Sequence, residues 1–169
     1  LVFMKKISIK ASKIKVVLTD VDGVLTDGGM YYTTKGDVMK KFHVRDGMGV
    51  TLLRKNNIST VIVTKEKNEI IQQWSKKMKI DKLLMGVIKK ETIIEKICKN
   101  YDVDTSEICY IGDDINDLGL LKLVGFSATP LDGIVEAQKI CDYVCKNNGG
   151  HGVFREVANM ILLSQKVKL

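Results

Sequence analysis

The chain has 169 residues, 45% of them hydrophobic and 28% charged, with a single proline, Pro130. That length suits one domain with one sizeable core, and the composition excludes collagen-like, proline-rich and disordered classes. No apolar run approaches the ~20 residues of a membrane span, so no bilayer crossing is expected.

The N-terminal Leu1-Val-Phe-Met4 is too short for a signal-peptide apolar region, and lysines follow it at once. Nothing there directs secretion, a cytoplasmic location is expected, and Met4 is a candidate natural start. The four cysteines, Cys98, Cys109, Cys141 and Cys145, are expected as free thiols. Cys141 and Cys145 have the i, i+4 spacing of a helix face, but no second Cys or His pair completes a zinc site. The net charge of +7 comes from 27 basic residues, of which only Arg45, Arg54 and Arg155 are arginines. A lysine-rich, arginine-poor balance suits a solvated surface or an anionic small substrate better than base reading.

Short β-branched runs alternate with longer amphipathic stretches, which predicts an α/β fold: a parallel, Rossmann-like sheet flanked by helices. The first strand is Lys15–Thr19. A hairpin follows, Met30–Thr34 and Val38–Phe42 about a Lys35-Gly-Asp turn. Asp46 reads as the N-cap of a helix through Val50–Arg54 that ends at Asn56-Asn57. Then come strand Thr60–Thr64, helix Glu66–Met78, a short strand Leu83–Gly86 and a helix from about Glu91 to Tyr101. Strand Ile108–Gly112 leads into a further helix. Gly125–Thr129 and Tyr143–Cys145 are the last strands, and Gly149-Gly-His-Gly152 opens a C-terminal helix with Val157, Ile161 and Leu162 inward. No linker or repeat divides residues 1–169, so one domain is expected throughout.

Two acidic clusters follow apolar strands: Asp20-Val-Asp22-Gly-Val-Leu-Thr-Asp27 and Gly112-Asp-Asp-Ile-Asn-Asp117. Ligands of open α/β sheets sit beyond the carboxyl ends of the strands, so both clusters are expected to converge there. Asp20 and Asp22 are expected to have no basic partner nearby, and crowded carboxylates call for a bound cation or retained protons. Hard oxygen ligands of this kind suit Mg²⁺.

DVDGVLTD resembles motif I of the haloacid dehalogenase superfamily of phosphohydrolases. Thr64 at the end of VIVT resembles its motif II, a lysine after MGVIK motif III and GDDIND motif IV, all in the right order. GGMYYTTKGDVMKKFHVRDGMGVTLL and GGHGVFREV are similar to the cap-less branch that holds octulosonate 8-phosphate and nonulosonate 9-phosphate phosphatases. The resemblance runs from about Lys15 to Leu163, and it implies a small hairpin in place of a cap domain.

It also implies roles. Asp20 matches the nucleophile, which divides hydrolysis into two steps through an aspartyl-phosphate. Asp22 matches the general acid and base. Mg²⁺ would be held by Asp20, the backbone carbonyl of Asp22, and Asp113. Thr64 and a lysine would bind the phosphoryl group; Lys90 is preferred, with Lys89 the alternative. Asp114 and Asp117 would orient the lysine and a metal-bound water. Glu66, Trp74, Arg45 and Arg155 are the candidate substrate contacts, Trp74 having an equally plain reading as packing. Glu66 lies two residues after Thr64, where the octulosonate enzymes usually carry arginine, and this favours a nonulosonate 9-phosphate substrate. His43 and His151 read as hairpin and loop residues. Tyr31 and Tyr32 read as an intersubunit face, and the resemblance implies a homotetramer with the glycine segment near a neighbour's site. The competing readings are a catalytically idle oligomerisation module and a nucleic-acid 3′-phosphatase. The intact aspartate set weighs against the first, and the lack of an aromatic-basic stretch against the second.

Overall fold

Short uncharged runs become strands buried along their whole length: β1 (Val16–Thr19), β6 (Ile108–Ile111) and β7 (Phe126–Thr129). β4 (Ser59–Val63) is buried from its second residue onward. The structure, a computed structural model, describes residues 2–168. Leu1, the first of the N-terminal apolar residues, and the side chains of residues 2–4 lie outside what is described. With β5 (Lys82–Leu84) and β8 (Tyr143–Val144) these strands form one parallel sheet in the order β5-β4-β1-β6-β7-β8. Parallel strands covered on both faces read as continuous apolar runs, which is why they were legible.

Alternate residues of β1 feed two cores. Val17 faces α1 (Val2–Ala11), α2 (Val44–Lys55), α3 (Glu69–Met78) and α7 (Val153–Ser164) through Ile7, Val50, Leu53, Ile71 and Phe154. Val16 and Leu18 face α4 (Ile94–Tyr101), α5 (Leu118–Leu123) and α6 (Val135–Ile140) through Ile97, Leu120, Leu121 and Ala137. Each such apolar side chain removed from water contributes roughly 1.5–3 kcal/mol. Beside the sheet stands an antiparallel hairpin of β2 (Tyr31–Thr33) and β3 (Gly36–Met39).

Several expected details shift. Asp46 does not cap α2: that helix begins earlier, because His43 Nδ1 accepts the Arg45 N–H at 3.2 Å. Asn68, not Glu66, starts α3, since its Oδ1 accepts the Ile70 N–H at 2.7 Å. Lys90–Ile93 winds as a 3-10 turn before α4. Asn56 and Asn57 do end α2, Asn57 with φ +59°. Cys141 and Cys145 share no helix face, for Cys141 ends α6 and Cys145 follows β8; both thiols are free. Helices α1 and α6 had no counterpart in the sequence reading. No helix among the described residues is long and apolar enough to cross a membrane.

Candidate active site

The carboxyl ends of the adjacent strands β4, β1 and β6 meet at a cavity of about 140 Å³. Asp20, Asp22, Thr64, Lys65, Glu66, Asp113, Asp114 and Asn116 line it. The chain leaves β1 toward β4 and β5 and later returns to β6 on the opposite side of β1. The end of β1 is therefore where connections diverge, the crevice in which open α/β sheets bind ligands.

Backbone hydrogen bonds hold the site residues to the strands. The Asp20 N–H donates to Ile111 O at 3.0 Å, and the Thr64 N–H donates to Leu84 O at 2.9 Å. Lys90 enters from the 3-10 turn and is wholly buried, its Nζ 2.6 Å from Asp20 Oδ2 and 2.6 Å from Asp117 Oδ1. The same Asp117 oxygen accepts the Tyr110 hydroxyl at 2.5 Å, while Oδ2 accepts the N–H groups of Asp113 at 2.8 Å and Asp114 at 3.1 Å. Asp117 thus fixes both the lysine and the loop that carries Asp113.

Gly23, with φ +84°, brings the other acidic loop against this one. A Cβ there would lie 2.1 Å from Asp113 Oδ2, so no other residue permits the approach. The glycine segment after β8 closes over the same loop of its own chain: Gly150 N–H donates to Val24 O at 2.9 Å. A Cβ on Gly149 would meet Gly23 O at 2.0 Å.

Burial pushes the Asp20 carboxyl up to about 7, with the charge of Asp117 adding to the effect and Lys90 opposing it. Burial likewise pushes Asp113 up to about 8, reinforced by the charges of Asp20 and Asp117. Ionised together, these groups repel one another in a site of low polarity. Carboxylate oxygens of Asp20, Asp113 and Asp117 lie within 4.8 Å of one another. Asp117 is fully occupied by its donors, but Asp113 Oδ1 is buried without a partner. No backbone donor among the described residues takes the carbonyl oxygen of Asp22. Asp20, Asp113 and that carbonyl are a hard-oxygen set with unfilled lone pairs, and they fit a divalent cation such as Mg²⁺.

Residues 48–157 match the family model of haloacid dehalogenase-like hydrolases. The chain belongs to the haloacid dehalogenase-like hydrolases. Among its relatives in this superfamily is the 3-deoxy-D-manno-octulosonate 8-phosphate phosphatase of Haemophilus influenzae, 36% identical over 156 residues, which cover 92% of this chain and 87% of that one. The cobalt-bound structure of the H. influenzae phosphatase superposes with a TM-score of 0.90, covering 93% of this chain and 92% of the other at 36% identity. The Moraxella catarrhalis phosphatase, solved with a magnesium ion, a phosphate ion and a KDO molecule, gives 0.93 at 32% identity, over 96% and 94% of the two chains. The parallel sheet with its small hairpin is thus the hydrolase fold expected from the motifs.

Within this haloacid dehalogenase-like site, Asp20, Asp22, Thr64, Glu66 and Asp113 line one cavity, with Lys90 and Asp117 buried behind them. Of the two candidate lysines, Lys89 is exposed, whereas Lys90 is buried against Asp20. Asp114 does not reach the lysine: its Oδ1 accepts the Ile115 N–H at 2.7 Å and caps the turn Ile115–Asp117. Trp74 stays out of the cavity and stacks on Phe42, ring centroids 4.6 Å apart. Arg45 and Arg155 also stay out of it: both line two other clefts, one of them shared with Lys40 and Trp74. His43 caps α2, and His151 Nδ1 lies 2.7 Å from Gly149 O. The expected lack of a basic partner for the paired aspartates is corrected as well. Asp20 has Lys90, and Asp22 Oδ1 has Lys40 Nζ at 2.6 Å, brought from the hairpin across 18 residues of sequence. Tyr110 and Asn116 were also missed; Tyr110 reads as an ordinary strand residue, and Asn116 sits within GDDIND without drawing notice.

Proposed function

We propose that this chain is a Mg²⁺-dependent phosphomonoesterase that hydrolyses 3-deoxy-D-manno-octulosonate 8-phosphate. The observation that carries the reading is the ion set at the end of β1: Asp20 held 2.6 Å from buried Lys90, beside an Asp113 oxygen with no partner. Relatives over nine-tenths of the chain, phosphatases of that ester, support the substrate. The nine-carbon 9-phosphate favoured by Thr64-Lys65-Glu66 takes second place. Glu66 does line the cavity, but the relatives named above are phosphatases of the eight-carbon ester.

Asp20 attacks phosphorus, and the bond to the sugar oxygen breaks as the aspartyl-phosphate forms. Asp22 gives its proton to the departing oxygen and later takes one from the water that releases phosphate. The Lys90 ammonium and the Thr64 hydroxyl bind the phosphoryl oxygens and offset their charge against that of Asp20. Asp117 keeps Lys90 in place and charged. A divalent cation held by Asp20, Asp113 and the Asp22 carbonyl would supply Lewis-acid screening of the phosphoryl oxygens.

The cavity, about 140 Å³, suits a phosphoryl group and a cation. The sugar is expected to lie toward the mouth, on the side where the hairpin brings Lys40 to Asp22. Met30, Tyr31, Tyr32, Val38 and Met39 are exposed on that hairpin, which supports assembly of a homotetramer through it. Light scattering at assay concentration should find the tetramer; an active monomer overturns that part. For the substrate, kcat/KM on the eight- and nine-carbon esters is the test. We expect at least a tenfold preference for the 8-phosphate, about 1.4 kcal/mol. An equal preference for the 9-phosphate rejects the assignment.

A further inference from the structure

The hairpin carries one lysine buried where lysines seldom are. Lys40 directly follows β3, and its side chain is only 4% exposed. Its Nζ lies 2.6 Å from Asp22 Oδ1 and 3.1 Å from Asp37 Oδ2. Asp37 Oδ2 also accepts a hydrogen bond from Asn68 Nδ2 at 3.1 Å, and Asn68 is the residue that caps α3. A polar chain thus runs from the start of α3 through the hairpin to the residue two positions past the nucleophile.

The next residue shows the ordinary alternative. Lys41 is 55% exposed and lies 3.5 Å from Asp27, a loose surface pair. Fixing and desolvating an ammonium, as at Lys40, costs both side-chain entropy and hydration. Asp22 is the group that gains from it. Its side chain is 34% exposed on a loop, Lys40 holds Oδ1, and among the described residues Oδ2 has no protein partner. The oxygen left over is on the carboxyl that lines the cavity.

We propose that Lys40 is a positioning residue for proton transfer by Asp22: it grips Oδ1 and leaves Oδ2 to meet the leaving oxygen. The hairpin therefore does a second job beyond any contact between subunits, setting the geometry of the acid. This rests on the reading of Asp22 as general acid. As the bond between phosphorus and the sugar oxygen breaks, that oxygen would depart as a strongly basic alkoxide unless the Asp22 proton reaches it. A p-nitrophenolate departs without help. Loss of Lys40 must then slow alkyl esters and spare the aryl ester, whereas a general loosening of the site slows both.

The test measures kcat/KM for the better of the two acidic sugar phosphates and for p-nitrophenyl phosphate, in wild type, Lys40→Met, Lys40→Arg and Asp22→Ala. The ratio of the two constants within one preparation does not depend on how much of the protein is folded. In Lys40→Met this ratio should fall about tenfold or more, against a general-acid contribution of about 10²–10⁴. Lys40→Arg should stay within about threefold of wild type, since it keeps a donor to Oδ1. Asp22→Ala should show the same contrast more strongly, and Lys40→Met added to it should lower the ratio no further. If Asp22→Ala shows the contrast and Lys40→Met does not, Lys40 has no positioning role and the acid assignment stands. If Asp22→Ala shows none, the acid assignment falls and the proposal with it.

Discussion

Lys90 Nζ lies 2.6 Å from Asp20 Oδ2, and the lysine is wholly buried with Asp117 on its other side. The proposed nucleophile is therefore one arm of a buried triad of two carboxylates and one ammonium. Removing the ammonium leaves two charges buried without compensation. We expect Lys90→Met to lower stability by about 3–5 kcal/mol and to abolish turnover even where folded protein is recovered. Denaturant unfolding with an activity assay on the folded fraction checks both. A variant of native stability would show that the triad does not carry the charge balance described.

Asp20→Asn takes one carboxylate out of the triad and leaves Lys90 paired with Asp117. The amide has the size of the carboxylate but no nucleophilic charge. Turnover should vanish while the melting temperature stays within a few degrees of wild type. Activity above a few per cent, once deamidation has been excluded by mass spectrometry, means that another group attacks phosphorus.

Much of this site was legible because strand ends and loop motifs are local features. A buried run such as Ser59–Val63 declares itself by its β-branched residues, and Thr64 at its end needs no knowledge of the rest of the chain. Contacts across the fold were not legible. Lys40 meets Asp22 only after the hairpin folds back, and nothing in its spacing separates it from exposed Lys41. Lys90 is preferred over Lys89 from sequence, but the reason they differ in burial lies in the 3-10 turn, which aims Lys90 inward. Helix α6 has six residues and no side-chain cap, too little periodicity to read. Sequence leaves Trp74 open between packing and substrate contact because Phe42, its stacking partner, comes from the hairpin end 32 positions earlier in the numbering.

Gly23 is where the two acidic loops touch, and a methyl group there would collide with Asp113 Oδ2. Gly23→Ala should therefore displace Asp113 and weaken cation binding while leaving the sheet intact. A ligand present at about 100 times its Kd stabilises a fold by about 2.7 kcal/mol. Wild type should gain thermal stability on titration with Mg²⁺, and lose activity to EDTA that Mg²⁺ then restores. Gly23→Ala and Asp113→Asn should each lose most of the Mg²⁺-induced rise. An undiminished rise in both places the cation elsewhere.

Asp46 offers a prediction away from the chemistry. Its Oδ1 accepts the backbone N–H of Arg155 at 2.9 Å, capping α7, whose own N-cap, Gly152, has no side chain to offer. Its other oxygen is buried without a partner. Burial pushes this carboxyl up to about 7, with the N–H groups of Arg155 and Phe154 and the charge of Arg155 opposing the rise. In the unfolded chain an aspartate titrates near 3.9, so between about pH 4 and pH 7 the unfolded state sheds a proton that the folded state keeps. The contribution of Asp46 to stability is thus whole below pH 4, falls as pH rises to about 7, and is constant above. At about 1.4 kcal/mol per unit the full loss is of order 4 kcal/mol, an upper figure. Asp46→Asn keeps an oxygen for the Arg155 N–H and removes the titration. The stability of wild type minus that of the variant should therefore decline across that window and level off above pH 7. Urea unfolding of both proteins from pH 4 to pH 8 measures it, and parallel curves would mean that Asp46 ionises in the folded protein as it does in the unfolded one.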